Sequence, residues 1–184
     1  LFILAGYLHA ETLPENGAVL NYTQVFFRWD QIPSVESYQF TIQKMGNEDE
    51  IELNLSKNSV LFTEFINWNS SYIWFICGLF SDGSTPLCSE IYSFDVSPLP
   101  DYFPDVISSM YDESLYQDGV TIMDFESLNF SGGIDKNGYP LWFADKDNFA
   151  ERFVFTQFLE NGNMVGFGPG KGYEIDLGGN IIFE

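Results

Sequence analysis

The sequence predicts an all-β protein, a β-sandwich followed by the first one or two blades of a β-propeller. Three observations carry that expectation. Short runs rich in aromatic and β-branched residues, broken by turn signals, crowd the stretch from Glu11 to Val96. The stretch Gln157 to Glu184 reads as strand, turn, strand, turn, strand. Its turns are Glu160-Asn161-Gly162-Asn163, Gly168-Pro169-Gly170-Lys171-Gly172 and Leu177-Gly178-Gly179-Asn180. Asn-Gly and Gly-Gly supply the positive φ that tight turns need. Finally, Ile134 to Trp142 matches Ile175 to Phe183 position by position, and Asp176 follows Asp135 by 41 residues. That period falls within the roughly 40–50 residues of a propeller blade. A sheet of three or four short strands cannot bury a face alone, so each copy must stack on another or on a neighbouring domain.

Taken in order, residues 1–10 form an apolar run ending at Ala10, read as the remnant of a secretory signal peptide. Ten residues are too few to span a bilayer as a helix. With no initiator Met and a stop at the strand Ile181 to Phe183, the sequence reads as a fragment. Residues 11–97 are expected to be the sandwich. Its strands are Val25 to Trp29, Tyr38 to Gln43 with period-two alternation, Glu50 to Leu55, Ser59 to Phe62, Ser71 to Phe80 and Ile91 to Val96. Cys77 and Cys88 lie equally far from Asp82-Gly83, so a two-residue hairpin turn there sets them opposite each other for a disulfide. Pro86 argues against such a ladder, because it has no N–H to donate.

Residues 98–113 form a Pro-rich linker, with Pro98, Pro100 and Pro104 stiffening the chain. Between Val106 and Leu115 a short helix and an extended strand remain equally open. Residues 114–184 begin the propeller, through Gly119 to Phe125, the Ile134 to Phe143 region, Phe149 to Leu159 and the closing hairpins.

The charge narrows the function. Seven basic residues face 27 acidic ones, for a net charge of −20. That excludes nucleic acid, whose phosphates need Lys and Arg, and disfavours anionic membrane surfaces. It reads first as solubility outside the cell and second as cation binding by clustered carboxylates. The 45% hydrophobic and 18% aromatic content excludes a disordered chain. No Gly-x-Ser-x-Gly elbow, phosphate-cradling loop or paired-cysteine metal spacing is present. Asp135-Lys136-Asn137-Gly138 and Asp145-Lys146-Asp147-Asn148 alternate carboxylates and amides as calcium loops do, but turn chemistry explains both. Gly166-Phe167-Gly168-Pro169-Gly170 is read as a turn. No cofactor or metal is expected.

Two resemblances add to this reading. Leu13-Pro14-Glu15-Asn16-Gly17, Phe27-Arg28-Trp29 and Val35 to Phe40 resemble a bacterial fibronectin type III-like module, an Ig-like sandwich. The resemblance implies that Trp29 and Tyr38 pack across the two sheets and that Tyr72 is the core tyrosine. Residues 117–184 resemble the opening of the arylsulfotransferase family. The resemblance is carried by Asp118 to Ile122, by Gly133-Ile134-Asp135-Lys136-Asn137-Gly138 with Trp142, by Phe158 to Val165, and by Tyr173 to Glu184. It implies a periplasmic or extracellular six-bladed propeller behind a sandwich. Such a protein moves a sulfuryl group from a small phenolic sulfate to a phenol through a sulfated histidine. The only histidine here is His9, and Lys136, Lys146, Arg152 and Lys171 match no family anion site. No catalytic residue is therefore assigned, and the chain by itself is expected to be inactive. The alternative is a non-catalytic extracellular binding protein; self-association into a homo-oligomer stays open.

Overall fold

The structure, a computed structural model, describes residues 12–107 and 119–184. The expected signal remnant, His9 and most of the Val106 to Leu115 stretch lie outside them. Among the described residues the fold is all-β, with two short 3-10 helices and no α-helix. None of its sheets closes on itself. Among the described residues no helix is long and apolar enough to cross a membrane. The described chain divides into two compact units: 12–18 with Gln24–Asp95, and Val19–Thr23 with Val96–Glu184.

Unit one is built from two sheets. The larger has the order β1(Ala18–Leu20), β8(Tyr92–Val96), β6(Ser70–Leu79), β3(Ser37–Lys44), β4(Glu50–Leu55), with β7(Leu87–Cys88) pairing β6 off that path. The division between units runs through β1 and β8. The smaller sheet pairs β2(Val25–Arg28) with β5(Ser59–Phe62). Alternation sends Tyr38, Phe40 and Ile42 of β3, and Tyr72, Trp74 and Ile76 of β6, to the same side. Val25 and Phe27 of β2 reach them from the other sheet. Phe27 is the centre of the packing. Its ring lies 5.0 Å from Phe40, 5.4 Å from Phe62, 5.2 Å from Trp74 and 5.8 Å from Phe94, each more or less edge-to-face. Such pairs add about 0.5–1.5 kcal/mol each beyond the area they bury. Trp29, just past the end of β2, meets Tyr38 edge-on at 5.5 Å. Tyr72 is fully buried against Phe94, and its hydroxyl accepts the Asn67 N–H at 2.8 Å. These aromatic residues are core.

The cysteines meet, but not across a tight turn. Cys77 pairs with Cys88 in register, and their Sγ atoms lie 1.98 Å apart. The connection is longer than a two-residue hairpin. β6 ends at Leu79, a turn closes from the Gly83 N–H to the Phe80 carbonyl at 3.2 Å, and the chain then runs unpaired through Pro86. Pro86 shortens the ladder to two pairs without disturbing its register.

Unit two holds two more antiparallel sheets. The first has the order β11(Pro140–Phe143), β10(Phe130–Ile134), β9(Thr121–Phe125). The second runs β12(Val154–Phe158), β13(Met164–Gly168), β14(Lys171–Ile175), β15(Ile181–Phe183) in chain order. The 3-10 helix η1(Glu126–Leu128) joins the paired strands β9 and β10, and η2(Lys146–Phe149) leads from the first sheet to the second. Asp145 caps η2 by accepting the Asp147 N–H at 3.2 Å. Val19–Thr23, expected within the sandwich, belongs to this unit because its backbone runs beside β11. The Thr23 N–H donates to the Leu141 carbonyl at 2.9 Å, and the Phe143 N–H to that of Asn21 at 3.2 Å. Phe103, from the linker, lies against β10 and β9, 5.4 Å from both Phe130 and Phe125. A Cβ at Gly132 would sit 2.7 Å from the Phe103 ring, so any side chain here would push that ring off the sheet.

Candidate functional site

The 41-residue repeat is visible bond by bond. In the first sheet the Asp135 N–H donates to the Tyr139 carbonyl at 3.0 Å and the Gly138 N–H to the Asp135 carbonyl at 3.1 Å. The Asp135 carboxylate accepts the Tyr139 N–H at 2.8 Å. In the second sheet Asp176, Gly179 and Asn180 repeat all three bonds, at 3.1, 3.1 and 2.8 Å. Gly138 and Gly179 hold the same left-handed backbone, at φ 90° and 82°. Both flanking hairpins carry a register shift at the same place, between Gly133 and Ile134 and between Glu174 and Ile175. The two carboxylates therefore close turns onto backbone N–H groups. Among the described residues no cluster of His, Cys, Asp or Glu is arranged to hold a metal.

The two sheets of unit two face each other across one core. Residue alternation places Ile122, Ser131 and Trp142 on one side of the first sheet. It places Met164, Tyr173 and Ile175 on one side of the second. Trp142, Met164, Tyr173 and Ile175 are all buried together, with Phe149 and Phe153 filling the space from the loop between the sheets and Ile122 packed at the margin. Two polar links hold the arrangement. The Trp142 indole N–H donates to the Leu177 carbonyl at 2.9 Å. The Ser131 hydroxyl donates to the Asp124 carboxylate and accepts the Phe155 N–H at 2.8 Å. The apolar face of the first sheet thus needs the second sheet, as its size requires.

The opposite side of the second sheet carries Val165, Phe167, Glu174 and Phe183. Phe183 is 71% exposed and Phe167 47% exposed. Asn161 and Asn163, of the Asn-Gly-Asn turn, reach Glu174 Oε1 through their amides at 3.3 and 2.6 Å. These turn residues are fastened to β14, an inner strand of the sheet. The aromatic face was not singled out in the sequence, although the alternation of Val165 and Phe167 about Gly166 is the signal that points to it.

The basic residues of this unit differ in their surroundings. Lys171 Nζ pairs with Glu184 Oε2 at 2.8 Å, and that hydrogen bond, with the charge of Glu184, raises its pKa. Lys146 Nζ lies 4.4 Å above the Tyr102 ring. The Arg152 Nε atom is buried without a hydrogen-bond partner. The Tyr102 hydroxyl donates to Asp145 at 3.3 Å, and burial, then the Asp145 charge, pushes its pKa up to about 12. Tyr22 is pushed to about 12 as well, by burial and then by the Asp176 charge. The Gly166 to Gly170 stretch, expected to be a turn, is one only at Pro169-Gly170; Gly166, Phe167 and Gly168 belong to β13 and pair with β14. Against known protein families the chain matches none, and no curated protein matches it.

Proposed function

We propose that the chain is the front of a periplasmic or extracellular sulfuryl-transferring enzyme of the arylsulfotransferase kind, and that its own share of the task is architectural. In this reading unit one is the fibronectin III-like sandwich and the two sheets of unit two are the first blades of the propeller. The observation that carries it is the pair of Asp turns 41 residues apart, alternating with the Asn-Gly-Asn turn. The disulfide at Cys77 and Cys88 supports an oxidising compartment. The Tyr72 hydroxyl bonded to backbone a few residues upstream supports the sandwich assignment.

In this reading the catalytic groups lie outside these 184 residues. An imidazole nitrogen attacks the sulfur of a phenolic sulfate, the S–O bond to the phenol breaks, and the phenolate leaves with a proton from a neighbouring acid. The sulfuryl group then passes from nitrogen to the acceptor phenol, whose proton goes to a base. His9 is the only imidazole of these 184 residues, so the nucleophile is assigned to further blades. In the non-catalytic alternative the propeller and sandwich grip a glycan or protein; the exposed ring of Tyr139 at its hairpin favours it. A chromogenic aryl sulfate with phenol as acceptor separates the two. The 184-residue chain is expected to release no chromophore, and a polypeptide continuing into histidine-bearing blades to release it with formation of phenyl sulfate. Sulfate left on the donor by that longer protein would end the transferase reading and leave the binding role.

A further inference from the structure

We propose that the exposed face of the second sheet, centred on Phe183 and Phe167, is the seat of a third antiparallel sheet of the same repeat. This deepens the blade-repeat part of the reading above and does not depend on sulfuryl transfer. Matching hairpin registers make Phe183 the counterpart of Trp142, since Gly133 pairs with Trp142 as Glu174 pairs with Phe183. By the same matching Val165 is the counterpart of Ile122. In the first sheet this face is covered, and Trp142 is 3% exposed because Met164, Tyr173 and Ile175 lie against it. In the second sheet the same position holds Phe183, at 71% exposure. One half of an interface already built once in this molecule therefore recurs without its other half.

The occupant follows from that interface. It is a short antiparallel sheet whose facing side is aliphatic and aromatic, as Met164, Tyr173 and Ile175 are. The polar groups of the seat differ in place from those of its precedent. Asp124 and Ser131, which grip the Phe155 N–H, correspond by register to Phe167 and Gly172, while Glu174 stands where the first sheet has Gly133. Glu174 is already bonded to the Asn161 and Asn163 amides, so burial of the rings beside it is the main attraction for a third sheet.

The test extends the full chain after Glu184 by a second copy of Ala144 to Glu184, which continues the 41-residue period in phase. Thermal unfolding and amide hydrogen exchange are compared with and without the extension. The extension is expected to raise the midpoint by about 5 °C, in line with 1–2 kcal/mol in a domain of this size. The Ile181 to Phe183 amides should become protected, while the added copy presents the same face again at the new end. Phe183→Asp should cancel both gains in the extended chain and leave the unextended midpoint unmoved. An extension that leaves midpoint and exchange unchanged overturns the proposal. So does a concentration-dependent dimer of the unextended chain that Phe183→Asp dissolves, because the seat would then belong to a second copy.

Discussion

Two glycines in equivalent turns are set apart by what surrounds them. Gly138 and Gly179 share a left-handed backbone, where any L side chain costs about 1–2 kcal/mol. A Cβ at Gly138 would meet the Val106 carbonyl oxygen at 2.1 Å, while one at Gly179 finds the Asn21 amide at 3.4 Å. Gly179→Ala is expected to cost about 1–2 kcal/mol in urea unfolding, and Gly138→Ala at least about 1 kcal/mol more. Equal losses would show that strain alone decides both. Tyr22 makes a second residue-scale test. Its pKa is about 12 in the fold against 10.0 as a model phenol, so the neutral form is favoured by folding. The associated stability is complete below about pH 10 and is lost as pH climbs through about 12. Tyr22→Phe should flatten that alkaline loss and remove one late-titrating group from the tyrosinate absorbance. An unchanged alkaline slope would contradict the assignment.

Among the elements, the β6–β7 hairpin is held less by its two-pair ladder than by its cross-link. Sulfurs 11 residues apart close a small loop, for which chain entropy allows about 3 kcal/mol of stabilisation. Reductant, or Cys77→Ser with Cys88→Ser, is expected to lower unfolding stability by up to that amount while β3 and β6 stay paired. A reduced protein as stable as the oxidised one would make the bond incidental. The register of that pair was legible from symmetry about Asp82-Gly83, and the loop was not, because Pro86 removes pairs without moving the frame. Glu50–Leu55 and Ser59–Phe62 were likewise legible from pattern alone. Their ends are marked by local residues that interrupt the alternation. The 3-10 helices escaped notice because each is a single turn whose cap, at Asp145 for η2, also reads as loop. Val19–Thr23 escaped because its bonds go to Leu141 and Phe143, more than a hundred residues on, and no local signal records them. Of the candidate site, the Asp turns were readable as turns. The exposure of Phe183 was not, since it depends on which face the first sheet covers.

Across the whole molecule, charge acts against compactness. A net −20 over 184 residues is self-repulsive, and the described Lys171–Glu184 pair is too exposed to offset it. Added sodium chloride, between low and physiological ionic strength, is expected to raise the thermal midpoint by a few degrees, as screening shortens the reach of the repulsion to about 8 Å. A midpoint that falls with salt would mean that attractive pairs outweigh the like charges.

The coincident bends at Gly133–Ile134 and Glu174–Ile175 have an engineering consequence. Because both hairpins enter and leave their turns at the same offsets, the tetrapeptides Lys136-Asn137-Gly138-Tyr139 and Leu177-Gly178-Gly179-Asn180 share one backbone frame. Each brings its own left-handed glycine to the required place. A loop graft moved from one rung to the other keeps its strand register, and the Val106 carbonyl crowding the first turn makes the second the roomier host.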